Sequence, residues 1–563
     1  MTPTIETEVL IAGGGPCGLM LANELGRRGI RCLLVDAKPG TAFNPQANAT
    51  QARTMEHYRR LGFAHEIRAL GLPPDHPTDI AYFTRFCGYE LARLELPTAA
   101  EAVRKIKALD GSWSAAELPH RVSQKLVEAA LRRHAESWLT NDVHYGWMLE
   151  DFNDSGAALD ATIRPVEDGP EARVRARYLV GADGPRSLVR RRLSIEWGGA
   201  TGVRRDFMGG KMFAVYMRAP GLRAAMPHRP AWMHVTVNRE RRAFMTAIDG
   251  GSEYAFHAAV HPHEDADGWT ADDARAIFAQ AFGKELPFEV LSVCTWMAGH
   301  SLVAQRFQHG HVLIAGDAAH LFTPTGGLGY NTAVDDAVNL GWKLAHVLRG
   351  SADERLLASY ECERKPVAQR NTAYARHFAD SVGLFVAVPE LEQPGPAGET
   401  ARAQAAAYLN AHARLEFNIP GVTFGARHDG SPVIVPDGTT PPPDEPNVYT
   451  PTACPGGRAP HAWLPDGRSL FDSFNFEWTL LALGPAPLDA SAFEQAAAAL
   501  RLDLKVVRNA DAHLRDLYDA PLALIRPDQI VAWRGHDARA APDVLEVVTG
   551  HAKAAGTRPP RSD

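Results

Sequence analysis

Cysteine is scarce in this sequence, and the cysteines that are present are not arranged in pairs. Only six occur among 563 residues, and none of them forms a C-x-x-C spacing. Such a scatter excludes a disulfide framework and a zinc knuckle, and it is typical of proteins that fold in a reducing compartment. An H-E-x-x-H run is also absent, which removes the commonest signature of a zinc hydrolase. We therefore predict no metal site and a cytoplasmic protein.

The sequence also lacks an excess of positive charge and a long apolar run. Its formal net charge is −7, so a nucleic-acid partner is not expected. No apolar stretch approaches the roughly 18 residues that a membrane span requires. Residues 1–8 contain neither a cationic region nor an apolar core, so we expect no signal peptide and no membrane attachment. The apolar content of 45% fits a globular chain, and the length suggests three or four domain-sized units.

The start of the chain fits the fingerprint of a dinucleotide-binding βαβ unit. Apolar runs predict strands at 8–12 and 31–35, and helical spacing predicts a helix over 16–28. A G-x-G-x-x-G motif joins the first strand to the helix, where glycines allow a tight turn and a close approach of a pyrophosphate. An acidic residue ends the second strand, where it would accept hydrogen bonds from a ribose. The predicted nucleotide-binding residues are Gly13, Gly15, Pro16, Gly18 and Asp36.

A second polar turn, at residues 316–331, is the most informative segment of the chain. It follows an apolar run at 312–315, which predicts a buried strand, and it precedes helical spacing over 332–348. The strand delivers the carboxylate of Asp317, and the glycine-rich turn offers bare backbone amides at a helix N-terminus. Such an arrangement suits a ligand with hydroxyl groups and an electron-rich ring. A plain strand-turn-helix is the alternative for this segment taken alone.

A third strand-to-turn site lies between the first two. The run at 177–182 predicts a strand that ends on Asp183 and Gly184, and four arginines follow at 186–192. Either a ligand-binding turn or an ordinary turn with a solvated basic helix face fits this pattern.

The remaining patterns predict further elements and a separate C-terminal unit. Alternation of polar and apolar residues predicts an inserted antiparallel sheet layer, and proline-rich stretches predict linkers. The predicted elements are a helix at 118–133, strands at 211–217 and 231–237, C-terminal strands at 478–483 and 504–507, and a C-terminal helix at 491–500.

The three turns, taken in this order, resemble those of the flavin-dependent aromatic hydroxylases, the group A monooxygenases of the phenol and p-hydroxybenzoate type. The resemblance covers roughly residues 5–380 and is most specific at 316–331. It implies an α/β fold with a Rossmann-type FAD-binding domain, an inserted and mostly antiparallel β-sheet substrate domain, and a C-terminal thioredoxin-like domain. The implied boundaries are 1–80, 105–195 and 300–395 for FAD binding, 81–104 and 196–299 for the substrate sheet, 396–448 for a linker region, and 449–563 for the thioredoxin-like domain.

The resemblance also implies roles for individual residues. FAD would be the bound cofactor and NADPH or NADH the co-substrate. The third turn, with Asp183 and Gly184, would contribute to the binding of both. The carboxylate of Asp317 would hold a ribityl hydroxyl, and the turn after it would lie along the isoalloxazine ring. The residues implied to contact FAD, besides those already named at the first turn, are Arg53, Gln124, Asp183, Gly184, Asp317, Pro324, Gly326, Gly327, Leu328, Gly329, Tyr330 and Asn331.

The chemistry implied by the resemblance is hydroxylation of a phenolic or related aromatic compound through a flavin C4a-hydroperoxide, with O2 as the oxygen source. A nucleophilic ring carbon requires that the phenol lose or share its proton, so a base or a proton relay is expected. Asn48 stands where one branch of the family carries histidine, and asparagine cannot act as a base. The substitutes considered for this role, besides Asn48 itself, are His234, Tyr216 and Arg205.

Several alternatives stay open from the sequence. The flavin could serve an epoxidase, a halogenase or an oxidase, although no lysine beside a tryptophan pair supports a halogenase. A non-catalytic flavoprotein that recruits a partner is a second class. A plain NAD-dependent dehydrogenase leaves the 316–331 segment unexplained. The expected partners are therefore a small aromatic substrate and O2, with a homodimer as a further expectation, and the family role would be the catabolism of aromatic compounds.

Overall fold

The structure, a computed structural model, describes residues 4–200, 210–485 and 488–552. Within these residues five sheets combine with helices in a mixed α/β architecture. The strands are β1 (Thr4–Glu6), β2 (Val9–Ala12), β3 (Cys32–Asp36), β4 (Ile80–Phe83), β5 (Glu90–Leu94), β6 (Asn141–Tyr145), β7 (Trp147–Asp154), β8 (Leu159–Pro165), β9 (Ala172–Ala176), β10 (Tyr178–Gly181), β11 (Trp197–Ala200), β12 (Lys211–Arg218), β13 (Met233–Thr236), β14 (Ala243–Ala247), β15 (Glu253–Ala259), β16 (Glu289–Met297), β17 (Ser301–Ala304), β18 (Gln308–His309), β19 (Val312–Ile314), β20 (His320–Leu321), β21 (Trp478–Leu483), β22 (Leu504–Asn509), β23 (Leu522–Ile525) and β24 (Val531–Gly535). The helices are α1 (Pro16–Arg27), α2 (Ala52–Leu61), α3 (Ala64–Ala69), α4 (Ala99–Lys105), α5 (Gln124–Ser137), α6 (Leu188–Arg192), α7 (Leu222–Ala225), α8 (Ala271–Phe282), α9 (Leu328–Leu348), α10 (Arg355–Gly383), α11 (Pro396–Phe417), α12 (Pro420–Phe424), α13 (Ser491–Ala499), α14 (Ala512–Tyr518) and α15 (Ala541–Val548).

A six-stranded sheet, in the order β18-β19-β10-β2-β3-β6, contains the N-terminal βαβ unit. Its strands are parallel except for β18. Every residue of Val9–Ala12 and of Val312–Ile314 is buried, as expected for a parallel sheet that is covered on both faces. Because parallel strands end at the same edge, the turns that follow β2, β3, β10 and β19 come together there. This edge collects the three polar turns that the sequence singled out.

A seven-stranded sheet, in the order β16-β12-β15-β14-β13-β4-β5, is antiparallel except for the β13–β4 pair. Side chains alternate between its two faces, and residues directly across from one another share a face. One face packs on α8, where the rings of Phe256 and Phe278 meet edge to face with centroids 5.1 Å apart. The opposite face is called the inner face here and carries Tyr216, Phe244, Thr246, His257 and Trp296.

The C-terminal unit is a four-stranded sheet in the order β22-β21-β23-β24. It is joined to the rest of the molecule by buried ion pairs rather than by apolar contacts alone. Arg458 pairs with Glu56 of α2 at 2.5 Å, and Arg526 bridges Glu363 of α10 at 2.7 Å and Asp528 at 2.6 Å. These five residues define the C-terminal contact. All of them are less than about one tenth exposed, so the unit is docked through groups that would be costly to separate.

The segment predicted as a linker region, 396–448, contains α11 and α12. The prediction rested on proline-rich stretches, but Pro396 begins α11, and proline is well suited to the first turn of a helix, where its missing N–H group costs nothing. The helix packs against β5, and the ring of His412 contacts that of Tyr82 edge to face at 6.2 Å. Whether the chain divides into domains at the predicted boundaries stays a prediction.

Two predicted helices begin at other residues than expected. The helix predicted from residue 118 starts at Gln124, because the preceding segment is extended and forms a bridge between Thr50 and His120. The helix predicted from residue 332 starts at Leu328, so that part of the predicted turn is its first helical turn. Among the helices of the described residues, none combines the length and the apolarity needed to cross a bilayer.

Candidate active site

The first polar turn is shaped by two glycines, Gly13 and Gly18, at which any side chain would collide with the backbone. Gly13 has a φ of +112°, and a Cβ there would lie 2.1 Å from the carbonyl oxygen of Ala182. A Cβ on Gly18 would lie 1.9 Å from the carbonyl oxygen of Gly13, whereas a Cβ on Gly15 would meet nothing within 4 Å. No side chain caps the α1 N-terminus at Gly15. The turn therefore leaves free space in front of unpartnered amides, where an anion is favoured.

Asp36 sits directly beside this turn. Its Oδ2 accepts a hydrogen bond from the Gly14 amide at 2.6 Å, and its Oδ1 accepts one from the Lys38 amide at 2.8 Å. The hydroxyl of Tyr145 donates to the Gly14 carbonyl at 2.6 Å and holds the turn from the other side. Each carboxylate oxygen keeps a lone pair for a further donor such as a ribose hydroxyl.

Asp183 lies at the same edge, since the Cβ position of Gly13 is 2.8 Å from its amide nitrogen. Its Oδ2 accepts hydrogen bonds from the amides of Leu188 at 2.7 Å and Val189 at 3.2 Å, so the carboxylate caps the short helix α6. Its Oδ1 is enclosed and has no partner among the described residues. Burial raises the pKa of Asp183 above its usual range. The next residue, Gly184, has a φ of +79° and free space around it.

The late turn lies directly against the first one. Gly316 has a φ of +60°, and a Cβ there would be 3.1 Å from the Cβ of Cys17 in α1. The side chain of Asp317 is exposed although the residues on both sides of it are buried. Surrounding protein still displaces much of its water, which raises the pKa of Asp317 despite the opposing charges of His320 and Lys38. The carboxylate of Asp317 is thus accessible although protein surrounds it, and it lines the space in front of the first turn.

Asp336 of α9 holds this late turn in place, and the sequence patterns did not single it out. Its Oδ2 accepts hydrogen bonds from the Gly316 amide at 3.1 Å and from Nε2 of His320 at 2.6 Å. Its Oδ1 accepts one from Nε of Arg364 at 2.7 Å. The pKa of Asp336 is lowered, because His320 and Arg364 outweigh the effect of burial. A charged residue about two turns into a largely apolar helix was the signal available in the sequence.

The start of α9 is tied to the segment before α2 by Asn331. Its Oδ1 accepts hydrogen bonds from the Gln51 amide at 2.8 Å and the Thr54 hydroxyl at 2.7 Å, and its Nδ2 donates to the carbonyl of Ala49 at 3.0 Å. The side chain of Asn331 is therefore used in the scaffold. Gly327, with a φ of +64°, begins the helix without a side-chain cap.

One predicted ligand group of this turn has another partner. The Gly326 amide donates to Oε1 of Glu416 at 3.0 Å, and Glu416 belongs to α11, the helix missed by the linker prediction. The other predicted residues of the segment, Pro324, Leu328, Gly329 and Tyr330, lie at or next to the uncapped N-terminus of α9. The amides available to a ligand there are thus those of the first helical turn rather than that of Gly326.

Arg53 does not lie with the residues described so far. Its guanidinium donates to the carbonyl of Asp528 at 2.5 Å, to Gln529 at 2.7 Å and to Glu56 at 3.0 Å. Arg53 therefore lies with the C-terminal contact, and its predicted contact with the cofactor stays a prediction. Local sequence patterns could not reveal this, because Asp528 and Gln529 lie more than four hundred residues from Arg53.

Gln124 begins α5 below the loop that follows β3. Its amide donates to the carbonyl of Ala47 at 2.7 Å, and its side chain donates to Oε1 of Glu128 at 2.6 Å. Oε2 of Glu128 in turn accepts from the Ala42 amide at 2.8 Å. Gln124 thus supports the loop that leads to Asn48.

We call one group of these features the cradle: the turn at 13–18, Asp36, Asp183, Asp317 and the start of α9.

The inner face of the seven-stranded sheet approaches the cradle through Asn48. The Asn48 Nδ2 donates to the Thr246 hydroxyl at 3.3 Å, and its Oδ1 is enclosed without a partner among the described residues. The next residue, Ala49, bonds to Asn331 and lies against Gly327, where a Cβ would be 3.2 Å from that of Ala49. Asn48 therefore stands between the start of α9 and the sheet.

His234 is on the wrong side of the sheet for a role at this site. Thr246 lies directly across from Met233, so His234, one residue further along β13, faces α8. Its ring stacks on Phe83 with centroids 5.7 Å apart, and both of its nitrogens are enclosed and find no partner in the part of the chain that the structure describes. Burial lowers the pKa of His234 to about 3. The alternation of side chains along β13 thus points His234 away from the inner face. Its predicted catalytic role stays a prediction.

Tyr216 is on the inner face, but its hydroxyl has fixed partners. It accepts a hydrogen bond from Nζ of Lys125 at 2.8 Å and donates to Glu253. Burial and the bond to Glu253 raise the pKa of Tyr216, so it cannot serve as a base near neutral pH. Arg205, the remaining candidate, lies outside the described residues.

The cradle fits a flavin adenine dinucleotide, which the residues at the turns imply. Free space at Gly15 in front of an uncapped helix suits a pyrophosphate. Asp36 suits a ribose, and the accessible carboxylate of Asp317 suits a ribityl hydroxyl. The late turn borders the same space, since the Cβ position of Gly316 is 3.1 Å from that of Cys17.

A group of possible metal ligands lies in the C-terminal contact instead of at the cradle. Glu363, His428 and Asp528 come within 4.8 Å of one another. Arg526 bonds to both carboxylates, and Lys343 donates to Glu363 at 2.7 Å. These two cations already compensate the acidic charge, so the group is an ion-pair network rather than a cation site.

The fold and the cradle define a dinucleotide-binding α/β protein, and comparisons with known proteins specify its family. Residues 6–375 match the FAD binding domain family, and residues 452–552 match the aromatic-ring hydroxylase C-terminal family. The chain therefore belongs to the FAD-dependent aromatic hydroxylases. It is an enzyme that uses FAD, with NAD(P)H as the co-substrate typical of this family.

Individual relatives are similar along nearly the whole chain. Phenol 2-monooxygenase of Pseudomonas sp. (strain EST1001) is 29% identical, with 98% of this chain and 93% of that protein covered. Aklavinone 12-hydroxylase DnrF of Streptomyces peucetius is 32% identical, with 85% and 91% covered. The structure of the rebeccamycin biosynthetic enzyme RebC with reduced flavin is 33% identical and has a TM-score of 0.87, with 98% and 100% covered.

Proposed function

We propose that this enzyme hydroxylates a phenolic or related aromatic ring that binds between the start of α9 and the inner face of the seven-stranded sheet. The observation that carries the proposal is the position of Asn48, which contacts Thr246 of the sheet while its neighbour Ala49 bonds to Asn331 of α9. The relatives named for phenol and for aklavinone support a phenolic ring, single or fused, as the substrate.

Bound FAD supplies the transfer of electrons from NAD(P)H and the activation of O2. The residues of the chain bind and orient it. The turn at 13–18 would hold the pyrophosphate, Asp36 the ribose, and Asp317 a ribityl hydroxyl. The first-turn amides of α9 favour negative charge on a ring that lies against them, because they form the positive end of the helix dipole.

Asn48 orients the substrate and does not remove its proton. A neutral amide has no basic atom near neutral pH. Its enclosed Oδ1 lacks a donor among the residues described, and a buried acceptor without a partner is costly. A substrate hydroxyl that donates to this oxygen satisfies it and fixes the ring relative to α9.

The finer architecture is part of the same proposal. The six-stranded sheet with its glycine turn supports a Rossmann-type FAD-binding domain, and the seven-stranded sheet supports an inserted substrate domain. The order β22-β21-β23-β24, with β21 and β22 parallel and β23 antiparallel to both neighbours, supports a thioredoxin-like unit. That unit has no C-x-x-C, and its ion pairs support a docking role. A homodimer stays a prediction.

The test begins with the absorbance spectrum of the purified protein, which should show stoichiometric FAD. NADPH or NADH oxidation is then measured with phenol, 2-naphthol and 6-hydroxy-1-tetralone under 18O2. The expected result is faster oxidation with at least one phenol and a product that has gained one labelled oxygen atom. Oxidation that yields only hydrogen peroxide would favour an oxidase, and labelled products from non-phenolic alkenes would favour an epoxidase. A protein without flavin would overturn the proposal.

A further inference from the structure

His257, in the middle of β15, is a buried histidine on the inner face that the proposed reaction does not use. We propose that its Nε2–H group donates a hydrogen bond to an uncharged ring oxygen of the substrate, such as a ketone or quinone carbonyl. His257 would thereby select aromatic substrates that carry a carbonyl in addition to the hydroxyl. This inference rests on the proposed function and names the substrate class of the same site.

The strand register places His257 on the same face as the Asn48 contact. Thr246, which bonds to Asn48, lies directly across from Ala255, and Phe244 lies directly across from His257. His257 lies on the neighbouring strand, two residues along from the position opposite Thr246, so the two residues are about 8 Å apart. A substrate that reaches both groups is larger than a single ring, and it would receive one acceptor and one donor from the protein.

The neighbours of His257 fix which ring nitrogen carries the hydrogen. The indole Nε1 of Trp296 donates to Nδ1 of His257 at 3.2 Å. Nδ1 must therefore be the acceptor, and the hydrogen of the neutral imidazole must be on Nε2. The ring is also held in place by Phe244, on which it stacks with centroids 4.5 Å apart and planes 10° apart. The donor direction is thus set before a ligand arrives.

The Nε2 atom is free to meet a ligand. No hydrogen bond joins it to another of the described residues, where Nδ1 is the ring nitrogen that has a partner. The residue as a whole is 8% exposed. Burial lowers the pKa of His257 to about 4, so the imidazole is neutral at physiological pH. A neutral donor in a low-dielectric setting suits a carbonyl oxygen, because no charge on the substrate has to be desolvated.

The test compares two probes that differ by one carbonyl oxygen, 6-hydroxy-1-tetralone and 5,6,7,8-tetrahydro-2-naphthol. Their dissociation constants are measured from changes in the flavin absorbance of the holoenzyme. The wild-type enzyme should bind the ketone about tenfold more tightly, the size of one neutral hydrogen bond. His257→Leu should remove this preference, while His257→Gln, which keeps a side-chain N–H group, should retain part of it. Trp296→Phe should weaken it, because Nδ1 is then free to carry the hydrogen.

The matched control is His234→Leu, the same substitution on the other face of the same sheet, which should leave the preference unchanged. An unchanged preference in His257→Leu overturns the inference, and so does a wild-type enzyme that does not distinguish or does not bind the two probes while other phenols stimulate NAD(P)H oxidation. If no phenol stimulates oxidation at all, the proposed function itself fails. The two failures are therefore distinguishable. The FAD content of each variant is measured, and a preference lost only together with FAD also counts against a direct contact.

Discussion

The pKa values of carboxylates in the cradle and in the C-terminal contact are shifted in opposite directions by their surroundings. In the cradle, burial raises the pKa of Asp183 and of Asp317. In the C-terminal contact, burial alone would raise the pKa of Glu56, but Arg458 and Arg53 lower it to about 2. The pKa of Asp528 is likewise lowered against burial by Arg526.

The cradle therefore has carboxylate oxygens that lack hydrogen-bond donors within the described parts of the chain, whereas the carboxylates of the C-terminal contact already have them. Every carboxylate of the C-terminal contact has at least one arginine within 3.0 Å. Asp183 keeps an enclosed oxygen without a partner among the described residues, and Asp317 faces accessible space. Carboxylate oxygens that are held without donors at an open edge are expected where a ligand supplies hydroxyl groups. The predictions below test this comparison, beginning with the largest expected effect.

Removing one cation from the C-terminal contact should be the most damaging change. Arg526→Leu leaves the buried carboxylates of Glu363 and Asp528 without their shared partner, and we expect a loss of about 3–5 kcal/mol in the free energy of unfolding. Urea unfolding followed by fluorescence measures this loss. Arg539→Leu breaks the exposed pair with Asp537 and should leave the stability unchanged. Equal effects of the two substitutions would contradict the distinction between buried and exposed pairs.

The two groups of carboxylates should respond to pH with opposite signs. Glu56 has a pKa of about 2 in the folded state, below its unfolded value near 4.3, so its contribution is present above that value and is lost as the pH falls toward 2. The loss amounts to at most about 3 kcal/mol. For Asp317 and Asp183 the folded pKa is raised, so their contribution is present at low pH and is lost as the pH rises through the folded pKa.

The measurement is the free energy of unfolding of the FAD-free protein between pH 2 and pH 7, with Glu56→Gln and Asp317→Asn as the two matched variants. Glu56→Gln should flatten the decline in stability on the acid side. Asp317→Asn should instead reduce the decline that accompanies ionisation at higher pH. If both variants change the slope in the same direction, the two environments are not opposite.

Substitutions at two glycines of the cradle should have different effects on the stability of the protein, although both should weaken FAD binding. Gly13→Ala places a Cβ 2.1 Å from the Ala182 carbonyl at a φ of +112°, and it should cost about 1–3 kcal/mol of stability as well as bound FAD. Gly15→Ala meets no protein atom within 4 Å, so it should leave the FAD-free protein as stable as before. It should nevertheless weaken FAD binding, because the methyl group enters the space assigned to the pyrophosphate. Differential scanning fluorimetry and flavin fluorescence measure the two quantities.

The smallest effect is expected from the charge of Asp317. Asp317→Asn should weaken FAD binding by about tenfold, since a charge-assisted hydrogen bond becomes a neutral one. The FAD-free protein should lose no stability, because a poorly hydrated charge has been removed from a site with few partners. Fluorescence titration of FAD into the FAD-free protein measures the affinity. An unchanged dissociation constant would remove Asp317 from the set of cofactor ligands.

The sequence allowed the cradle to be predicted because its residues act through local geometry. Neighbouring residues are enough to predict a glycine with positive φ, a strand that ends on a carboxylate, or a helix that begins without a cap. The structure brings Gly13, Asp36, Asp183 and Asp317 to one edge of one sheet. Local geometry did not reveal the protein partners of Arg53 and Gly326, because Asp528 and Glu416 are remote from them in the chain. A pattern of neighbours cannot predict which distant group satisfies a donor.

The sequence by itself therefore determined the class of fold and the backbone turns proposed to receive the cofactor, because these depend on periodicity and on the allowed conformations of a few glycines. The identity of the cofactor followed from the resemblance to a known family. Only the tertiary structure decided which face of the seven-stranded sheet meets the cradle. That choice excludes His234 and presents His257, although both residues are buried histidines in central strands. The physical reason is that a shift of one residue in a strand reverses the direction of a side chain, and the register of strands far apart in the chain is fixed only when the sheet is assembled.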